Sequence, residues 1–429
     1  MRSRSSLFVS SFALVALTGA SALAQGGRGA AADTAYDPIR EMVGRLTLAQ
    51  YKATVKGLTQ FGDRRQGTKR NRDALDWIEA QLKSYGCTNT ERITYTYPPP
   101  NAGRGGGGRG GADSTGRGGR GGAGGGRGGA PQGDTLPLGG VQTGGWRFRG
   151  IRGRTGVNQD SLRQPDAKLR ALNAEPTTPG QRQDVFCTKI GTTHPNEMYI
   201  IGAHMDGHGW GEAANDDGSG TALVMELARV FSSPDVKTDR SIRFALWNNE
   251  ETGLNGAQAY VEQRAALQGK EEPEGSGKFP EPKWLGMIQH DMMMWDHGMP
   301  GPDGKVSKEQ RREADVNVEF AITSKFADQA MKLAFFFRQS NEKYATDYPA
   351  AVGPYMTNTD SRPFQDLVPS LSLRENERGM HTGAGWNPTW HQPIDVFSTF
   401  SDKDFKLGLN AAQTTLSAIA QLTGATVKK

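Results

Sequence analysis

Two histidines, four acidic residues and five glycines lie within the stretch AHMDGHGWGEAANDDGSG, which runs from Ala203 to Gly220. The stretch directly follows the apolar run MYII, which is typical of a buried strand. Imidazole nitrogens and carboxylate oxygens are ligands that suit Zn²⁺. A polar surface loop and a glycine-rich phosphate-binding turn are the alternatives. Such a turn usually carries a lysine, and this acidic stretch has none. The residue types therefore favour a metal site.

Residues of the same chemical types follow two further apolar runs. RFALWNN leads into Glu250 and Glu251, and WLGMIQH leads into Asp291. In open α/β sheets, ligands bind beyond the carboxyl ends of the strands. We therefore expect these three carboxylates to meet His204 at one edge of a sheet. A further histidine, His391, appears late in the chain within TWHQPID.

The elements that must position these residues follow an alternating pattern. Apolar strand-like runs alternate with helical segments from residue 184 onward, which predicts an α/β fold. We expect a mostly parallel or mixed central β-sheet that is flanked by helices on both faces. Ser401 and Asp404 have the spacing of a capping box for the last helix. The predicted strands are DVFCTKIG, EMYIIGAHMD, SIRFALWNNEE, KWLGMIQHDMM, VNVEFAIT and SLSLREN, and the predicted helices are GTALVMELARVFSS, NGAQAYVEQRAAL, FADQAMKLAFFFRQS and SDKDFKLGLNAAQTTLSAIAQL.

An earlier segment, NRDALDWIEAQLKSYG, is predicted to be an amphipathic helix followed by the strand TERITYTY. Ala74, Trp77, Ile78 and Leu82 share one helix face, and Gly86 stands where the first residue after a helix is often glycine.

The chain is predicted to contain a leader and one domain. Residues 1–24 have a basic start, a short apolar core and the sequence Ala22-Leu23-Ala24, which together are typical of a signal peptide cleaved after Ala24. Residues 25–35 are predicted to be flexible, and 36–429 to form a single domain. A Gly/Arg-rich insertion at 101–145 interrupts this domain, and its composition predicts disorder because it lacks apolar surface to bury.

Composition limits the partners. The formal net charge is only +5, and the excess arginine lies in the N terminus and the Gly-rich tract, so no nucleic-acid-binding face is predicted. No segment after the leader offers about 20 consecutive apolar residues, so we expect no membrane span after signal cleavage. The mature protein is therefore expected to be exported, either to the periplasm or to the medium. The pattern does not predict an oligomeric state. Cys87 and Cys187 are the two cysteines, and either a disulfide or two buried thiols fits an exported chain.

Five motifs in order carry a resemblance to a known family. HMD, NDDGSG, NNEETGLNGAQAY, HDM and WHQPID resemble the zinc exopeptidases of the aminopeptidase-like type. That group includes secreted bacterial leucine-type aminopeptidases, glutamate carboxypeptidases and glutaminyl cyclases. The resemblance covers roughly Tyr36 to Leu422, apart from the Gly-rich insertion. It implies a metallopeptidase that acts on a peptide substrate.

The resemblance also implies a ligand set for two Zn²⁺ ions, with Co²⁺ or Mn²⁺ as alternative ions. His204 and Asp291 would hold one ion, Glu251 and His391 would hold the other, and Asp216 would bridge both. Asp217, the next residue, is the less favoured ligand. The order of the motifs matches the family, but Trp390 and Gln392 flank His391 where relatives usually have Tyr or Phe before it and a small residue after it.

Other residues receive roles in catalysis. Glu250 is the expected general base, which takes a proton from water and gives it to the leaving amine. Asp206 is expected to accept the other N–H of the His204 imidazole and so fix its tautomer. Tyr355 stands where some relatives have a tyrosine that stabilises the oxyanion. Asp395 is expected to support the loop of His391.

Several residues near these motifs depart from the pattern or receive a non-catalytic interpretation. Thr359-Asp360-Ser361 stands where relatives often have Ser-Asp-His, and Asp360 is interpreted as part of a substrate loop. His208 is interpreted as a loop residue in preference to a substrate contact. His290 is expected to be structural, because neighbours on a strand point to opposite faces. His194 is expected at the surface, and His297 and His381 receive no role.

The leading functional prediction is an exported di-zinc aminopeptidase. A carboxypeptidase of the glutamate carboxypeptidase type is an alternative, with Arg362, Arg374 or Arg378 as contacts for a substrate carboxylate. A glutaminyl cyclase on the same fold is another. A binding or receptor-like protein on an inactive scaffold is less favoured, because all the expected ligands and the base are present.

Overall fold

The computed structural model describes residues 36–98, 157–297, 314–356, 358–375 and 387–428, together with the backbone of 142–143 and 146–147. The predicted signal peptide, the predicted flexible segment 25–35 and nearly all of the predicted insertion at 101–145 lie outside these ranges. Predictions for those segments therefore remain predictions.

The predicted helices and strands are present, and several short elements join them. Among the described residues, no helix is both long and apolar enough to cross a membrane. The helices are α1 (Pro38–Gly44), α2 (Leu48–Thr59), α3 (Lys69–Ser84), α4 (Ala167–Asn173), α5 (Gly218–Phe231), α6 (Asn255–Arg264), α7 (Ala327–Tyr344) and α8 (Asp402–Leu422). The strands are β1 (Thr90–Tyr97), β2 (Gln142–Thr143), β3 (Trp146–Arg147), β4 (Gly180–Lys189), β5 (His194–His204), β6 (Val236–Lys237), β7 (Arg240–Trp247), β8 (Lys283–His290), β9 (Val316–Phe320), β10 (Ala350–Gly353), β11 (Ser370–Arg374) and β12 (Thr426–Val427).

Eight strands form one mixed sheet in the order β1-β4-β7-β5-β8-β11-β9-β10. The four central strands β7, β5, β8 and β11 run parallel to one another. β4 is antiparallel to β7, and β9 is antiparallel to β11. The prediction of a mixed sheet is confirmed. Because the central strands share one direction, their carboxyl ends meet at a single edge.

Both faces of the sheet are buried, as expected for α/β strands. On β7, Ile242, Phe244 and Leu246 join the larger core, whereas Ala245 and Trp247 join the smaller one. This alternation follows the two-residue repeat of a strand. Helices α5, α7 and α8 supply the larger core, and α6 covers the smaller one, so helices lie on both faces. Each fully buried large apolar side chain contributes roughly 1.5–3 kcal/mol to folding.

Local signals set the ends of the helices. α8 begins with the predicted capping box, in which the backbone N–H of Ser401 donates to Asp404 and Ser401 caps the first turn. α3 begins at the cap Thr68, whose side chain accepts from the backbone of Asn71. Gly86 follows α3 with φ +89°, a conformation that glycine adopts without steric cost. The predictions of the capping box and of Gly86 after α3 are confirmed.

Cys87 and Cys187 form a disulfide. The bond joins the segment after α3 to β4 across 100 residues of sequence. Closing a loop of that length stabilises a fold by roughly 4–5 kcal/mol in the chain-entropy account. Of the two alternatives for these cysteines, the structure therefore contains the disulfide.

Candidate metal centre

Three neighbouring strands deliver the predicted site residues to the same edge of the sheet. β5 ends at His204, which pairs in register with Trp247 at the end of β7. Its neighbour Ala203 pairs with His290, the last residue of β8, so that Asp291 follows at the same level. The sequence prediction that these strand ends converge is confirmed.

The first cluster consists of His204, Asp216 and Asp291. Nε2 of His204 lies 3.3 Å from Oδ1 of Asp216 and 3.9 Å from Oδ1 of Asp291. One ligand-type atom from each residue lies within 4.8 Å of the other two. All three side chains are buried. An imidazole with two carboxylate oxygens at this spacing can hold a divalent metal ion.

The second cluster consists of His208, Glu251 and His391. Nε2 of His208 and Nε2 of His391 each lie 2.9 Å from Oε2 of Glu251. The two imidazole rings pack edge to face with centroids 4.1 Å apart. The sequence prediction named Glu251 and His391 here but interpreted His208 as a loop residue. The only hint in the sequence is that His208 lies four residues after His204. In a loop, unlike in a helix, that spacing does not predict that two side chains point the same way.

Asp216 connects the two clusters. Its Oδ1 faces His204, and its Oδ2 lies 3.1 Å from Nε2 of His391. One carboxylate therefore presents a different oxygen to each cluster. This is the arrangement of a carboxylate that can bridge two metal ions.

Buried polar atoms in the two clusters lack hydrogen-bond partners among the described residues. These atoms are Oδ2 of Asp216, Nε2 of His208 and Oε1 of Glu251. A buried polar atom without a partner costs about 1–3 kcal/mol. Short distances between these residues, without hydrogen-bond geometry, are expected of atoms that share a cation. The donor set therefore fits metal ions.

The tautomer of His204 also fits metal binding. Its Nδ1 lies 3.0 Å from the main-chain oxygen of Asp206, which can only accept a hydrogen bond. A hydrogen therefore resides on Nδ1, and Nε2 is the ring nitrogen that faces Asp216 and Asp291. The sequence prediction assigned this acceptor role to the carboxylate of Asp206, but that carboxylate lies 3.8 Å away.

The carboxylate of Asp206 has a different partner. Its Oδ1 accepts a hydrogen bond of 3.1 Å from the backbone N–H of Glu250. Burial raises the pKa of Asp206 to about 6, and the nearby His204 opposes this shift. Asp206 thus joins the loop after β5 to the loop after β7, which carries the expected general base.

Electrostatics in the clusters favour positive charge. Burial alone lowers the pKa of His391, but Glu251 and Asp216 raise it to about 10. Burial also lowers the pKa of His204, and the neighbouring carboxylates, Glu250 foremost, raise it well above its ordinary value. An excess of buried negative charge that favours an imidazolium also favours a divalent cation.

Glu250 and Glu251 diverge because the backbone turns between β7 and α6. Asn249 has φ +66°, and the backbone N–H groups of Gly253 and Leu254 donate to the carbonyl oxygen of Glu250. This turn lets Glu251 join the second cluster while Glu250 remains separate from it. Burial raises the pKa of Glu250 well above its ordinary value.

Asp217 stabilises the backbone around the ligands. Its Oδ2 accepts from the N–H of His204 at 3.2 Å, and its Oδ1 accepts from the N–H groups of Gly220 and Met292. With its oxygens used in this way, Asp217 is a structural partner of the loops that carry His204 and Asp291. The lower preference for it as a ligand agrees with this geometry.

The loop that carries His391 is attached to the loop that carries Asp216. Asp395 accepts hydrogen bonds from the backbone N–H groups of Asn215 and Asp216 at 2.8 and 3.0 Å. At Gly209, a Cβ atom would lie 2.4 Å from the carbonyl carbon of His391, and φ is +97°. Glycine is therefore required for the two loops to approach this closely. Asp395 supports the bridging residue as well as its own loop.

Asp291 is held by two donors on the oxygen that faces away from His204. Oδ2 accepts from Oγ1 of Thr359 at 2.7 Å and from Nη2 of Arg374 at 2.8 Å. Arg374 is 1% exposed and also lies 4.0 Å from Glu319. This pairing with Asp291 does not favour the alternative in which Arg374 contacts a substrate carboxylate. Arg362 is exposed, and Arg378 lies outside the described residues.

Among the contacts of the described residues, none joins Tyr355 to the two clusters. It follows β10 and forms an isolated bridge with Ala321, which follows β9. Because β9 runs antiparallel to β11, the carboxyl ends of β9 and β10 lie at the edge opposite the one where β5, β7 and β8 end. The structure therefore does not support Tyr355 as the electrophile. The next loop residues do approach the site: Thr359 contacts Asp291, and Asp360 is buried with Gln289 as a hydrogen-bond donor.

The other described histidines have structural surroundings. Nε2 of His290 lies 2.9 Å from Oγ1 of Thr415, and its Nδ1 lies 3.2 Å from the carbonyl oxygen of Gly202. The prediction that His290 is structural is confirmed. Nε2 of His297 lies 2.7 Å from Asp404, and His194 is an exposed residue at the start of β5. His381 lies outside the described residues.

Comparison with known proteins agrees with the geometry. Residues 185–413, more than half of the chain, match Peptidase family M28. The chain belongs to this family. All the residues of the two clusters lie within the matched range, which therefore covers the whole candidate centre of this M28 member.

Curated relatives of this M28 chain match over short segments. An aminopeptidase of Pseudomonas aeruginosa is 32% identical over 128 residues, which are 28% of this chain and 22% of the relative. Aminopeptidase YwaD of Bacillus subtilis is 44% identical over 69 residues, which are 16% of this chain and 14% of the relative. The matches thus span less than a quarter of the length of these two relatives.

Solved structures match over most of the chain. The aminopeptidase from Aneurinibacillus sp. strain AM-1 superposes with a TM-score of 0.52 and 18% identity, over 91% of this chain and 97% of that one. BSAP, a zinc aminopeptidase from Bacillus subtilis, gives 0.54 and 15%, over 90% and 96%. Porphyromonas gingivalis glutaminyl cyclase gives 0.50 and 13%, over 88% and 99%. At these identities the similarity shows the fold alone.

Proposed function

We propose that this protein is a co-catalytic di-zinc aminopeptidase that releases N-terminal residues from peptides. The observation that carries the proposal is the position of Asp216, whose two carboxylate oxygens face His204 and His391 separately. A single-ion centre has no need of such a bridge. We also propose that the mature protein acts outside the cytoplasm, on the basis of the leader-like residues 1–24.

The proposed ligands form two sets, one for each ion, and Asp216 belongs to both. His204 and Asp291 would hold the first ion, and Glu251 and His391 would hold the second. When bound, two zinc ions would supply Lewis acidity, which polarises the scissile carbonyl and lowers the pKa of a bound water molecule. Imidazole and carboxylate donors also accept Co²⁺ or Mn²⁺, so these ions are expected to substitute for zinc.

Glu250 is the proposed general base. Its side chain is buried at the edge where the clusters meet, and its backbone is held by Asp206. Burial raises the pKa of Glu250, and the positive charge of bound metal ions would oppose this shift and favour the carboxylate, which can accept a proton from water and pass it to the leaving amine. Its neighbour Glu251 is occupied in the second cluster, so the two adjacent carboxylates have separate tasks.

The negative charge of the centre favours binding of the N-terminal end of a peptide over its C-terminal end. The carboxylates of the centre would attract a free α-amine and repel a free α-carboxylate. Of the two described arginines that were candidates for binding a carboxylate, Arg374 is paired with Asp291 and Arg362 is exposed. The names of the Pseudomonas and Bacillus relatives, both aminopeptidases, also support this direction.

A glutaminyl cyclase is the second candidate, because the chain shares the fold of the Porphyromonas gingivalis enzyme. A cyclase would form a ring from an N-terminal glutamine and would release ammonia. This candidate and the carboxypeptidase alternative are distinguished by their products.

The experiment measures metal content per chain and hydrolysis of aminoacyl-nitroanilides on the same purified sample. We expect two zinc ions and nitroaniline release that a chelator abolishes and zinc restores. One zinc ion with ammonia release from glutaminyl peptides would instead favour the cyclase. Cleavage of N-blocked but not C-blocked dipeptides would favour a carboxypeptidase, and an absence of bound metal would overturn all three.

A further inference from the structure

We propose that His208 is a ligand of the second metal ion, so that the two metal positions are unequal in donor number and in affinity. The proposal rests on the di-metal centre proposed above. It adds a fourth protein donor to the ion held by Glu251, His391 and the bridging Asp216.

The geometry of the ring carries the proposal. Nε2 of His208 and Nε2 of His391 lie at the same distance, 2.9 Å, from the same oxygen of Glu251. The rings are nearly perpendicular, at 86°, and pack edge to face with centroids 4.1 Å apart, so both can point a nitrogen at the same carboxylate oxygen. Two imidazole nitrogens and a carboxylate oxygen that converge in this way form a three-donor set for one cation.

The burial of His208 separates it from the structural histidines. Its side chain is 12% exposed, and its Nε2 is buried without a hydrogen-bond partner among the described residues. By contrast, both ring nitrogens of His290 have partners, and Nε2 of His297 faces Asp404. A buried ring nitrogen of a purely structural histidine is expected to have such a partner. A metal ion would supply one for His208.

The loop around His208 is held firmly enough to position a ligand. Arg64 is fully buried and donates to the main-chain oxygens of Met205, Glu212 and Ala213 at 2.7–2.9 Å. These bonds fix both sides of the segment that contains His208. Gly209 then places the segment against the backbone of His391. A ligand on a rigid support loses little entropy when it binds a metal.

The consequence is an asymmetric centre. The first ion would have three protein donors, from His204, Asp291 and Asp216. The second would have four, including two imidazoles. Zinc sites with four protein ligands are typically structural, whereas catalytic sites keep one position open. The first ion would therefore keep the open coordination position, and the second ion would bind more tightly.

The test is calorimetric titration of Zn²⁺ into the metal-free mature protein. We expect two steps of unequal affinity in the wild type. His208→Ala should weaken the tighter step by at least about 100-fold, because even the loss of a partner outside the ligand shell costs roughly 10–100-fold. The control His194→Ala, at an exposed histidine of β5, should leave both steps unchanged. Identical isotherms for His208→Ala and the wild type would overturn the proposal.

A second readout uses one equivalent of Co²⁺, whose visible absorption bands depend on donor type and coordination number. The wild type and His208→Ala should differ in the position and intensity of these bands, and superimposable spectra would contradict the assignment. His208→Asp, which offers an oxygen donor, should recover part of the lost affinity, and it replaces His208→Ala if that variant does not fold. If the wild type binds no zinc, the proposed di-metal function is wrong. If the wild type and His208→Ala both bind two ions with the same affinities, only the proposed role of His208 is wrong.

Discussion

The carboxylate of Asp395 accepts the backbone N–H of Asp216 across 179 residues of sequence, with a distance of 3.0 Å between Oδ2 and the nitrogen. The same carboxylate accepts the N–H of Asn215 through its other oxygen. A residue four positions after His391, a proposed metal ligand, therefore fixes the backbone of Asp216, the proposed bridge. The hydrogen bonds from Asn215 and Asp216 to Asp395 thus connect the loops that carry the two clusters.

Asp395→Asn should weaken zinc binding by about 10–100-fold, because an amide offers only one acceptor for the two N–H donors. Zinc affinity measured by competition with a chelator dye checks this expectation. Asp402→Asn, at an exposed carboxylate of α8, is the matched control and should bind zinc as the wild type does. Unchanged affinity in Asp395→Asn would show that the bridge does not depend on this support.

Glu250→Gln should retain both metal ions and lose about 10²–10⁴-fold in turnover, because the amide cannot accept the proton from water. Metal content and kcat on one aminoacyl-nitroanilide are the measurements. Asp216→Ala provides the contrast, since it should lose metal and turnover together. Near-normal turnover in Glu250→Gln would remove this residue from the mechanism.

Arg374→Lys should weaken zinc binding without a specific effect on KM. Lysine keeps the charge beside Asp291 and Glu319 but cannot reproduce the position of the guanidinium that holds Oδ2 of Asp291. We expect a loss of roughly 10–100-fold in zinc affinity, measured by the same competition assay. Arg362→Ala is the control at an exposed arginine. A rise in KM for substrates with a free carboxyl end, with unchanged zinc affinity, would favour the carboxypeptidase alternative instead.

The positions of the proposed ligands that follow strands could be predicted from sequence because two local rules agree there. Apolar runs identify the central strands, and parallel strands place their carboxyl ends together. His204, Glu251 and Asp291 satisfy both rules. Asp216 and His391 lie in loops, and they were predicted from the resemblance rather than from periodicity.

The remaining features depend on contacts between distant loops. The approach of the His208 segment to His391 depends on Gly209, which lies against the backbone of His391, and no local sequence pattern contains that contact. The surroundings of Tyr355 could not be predicted, because the reversal of β9 and β10 relative to β11 is a property of the whole sheet. Arg374 lies at the correct edge, but only the structure shows that it faces Asp291 and not solvent.

The buried His290 predicts a pH dependence of stability that is separate from catalysis. Burial lowers its pKa from 6.5 to about 4, against the opposing bond to the carbonyl oxygen of Gly202. Between these two pH values the unfolded chain binds a proton that the folded chain does not, so stability falls as the pH decreases from 6.5 towards 4. The full effect is roughly 3 kcal/mol.

His290→Gln removes this titration while it keeps a polar side chain near Thr415. Urea unfolding of the metal-free proteins at several pH values gives the free energy of unfolding of each. The wild type should lose stability relative to His290→Gln as the pH is lowered through this window, and the difference should be constant above pH 6.5. A difference that does not change with pH would mean that His290 is protonated in the fold, with Thr415 and Gly202 both acting as acceptors.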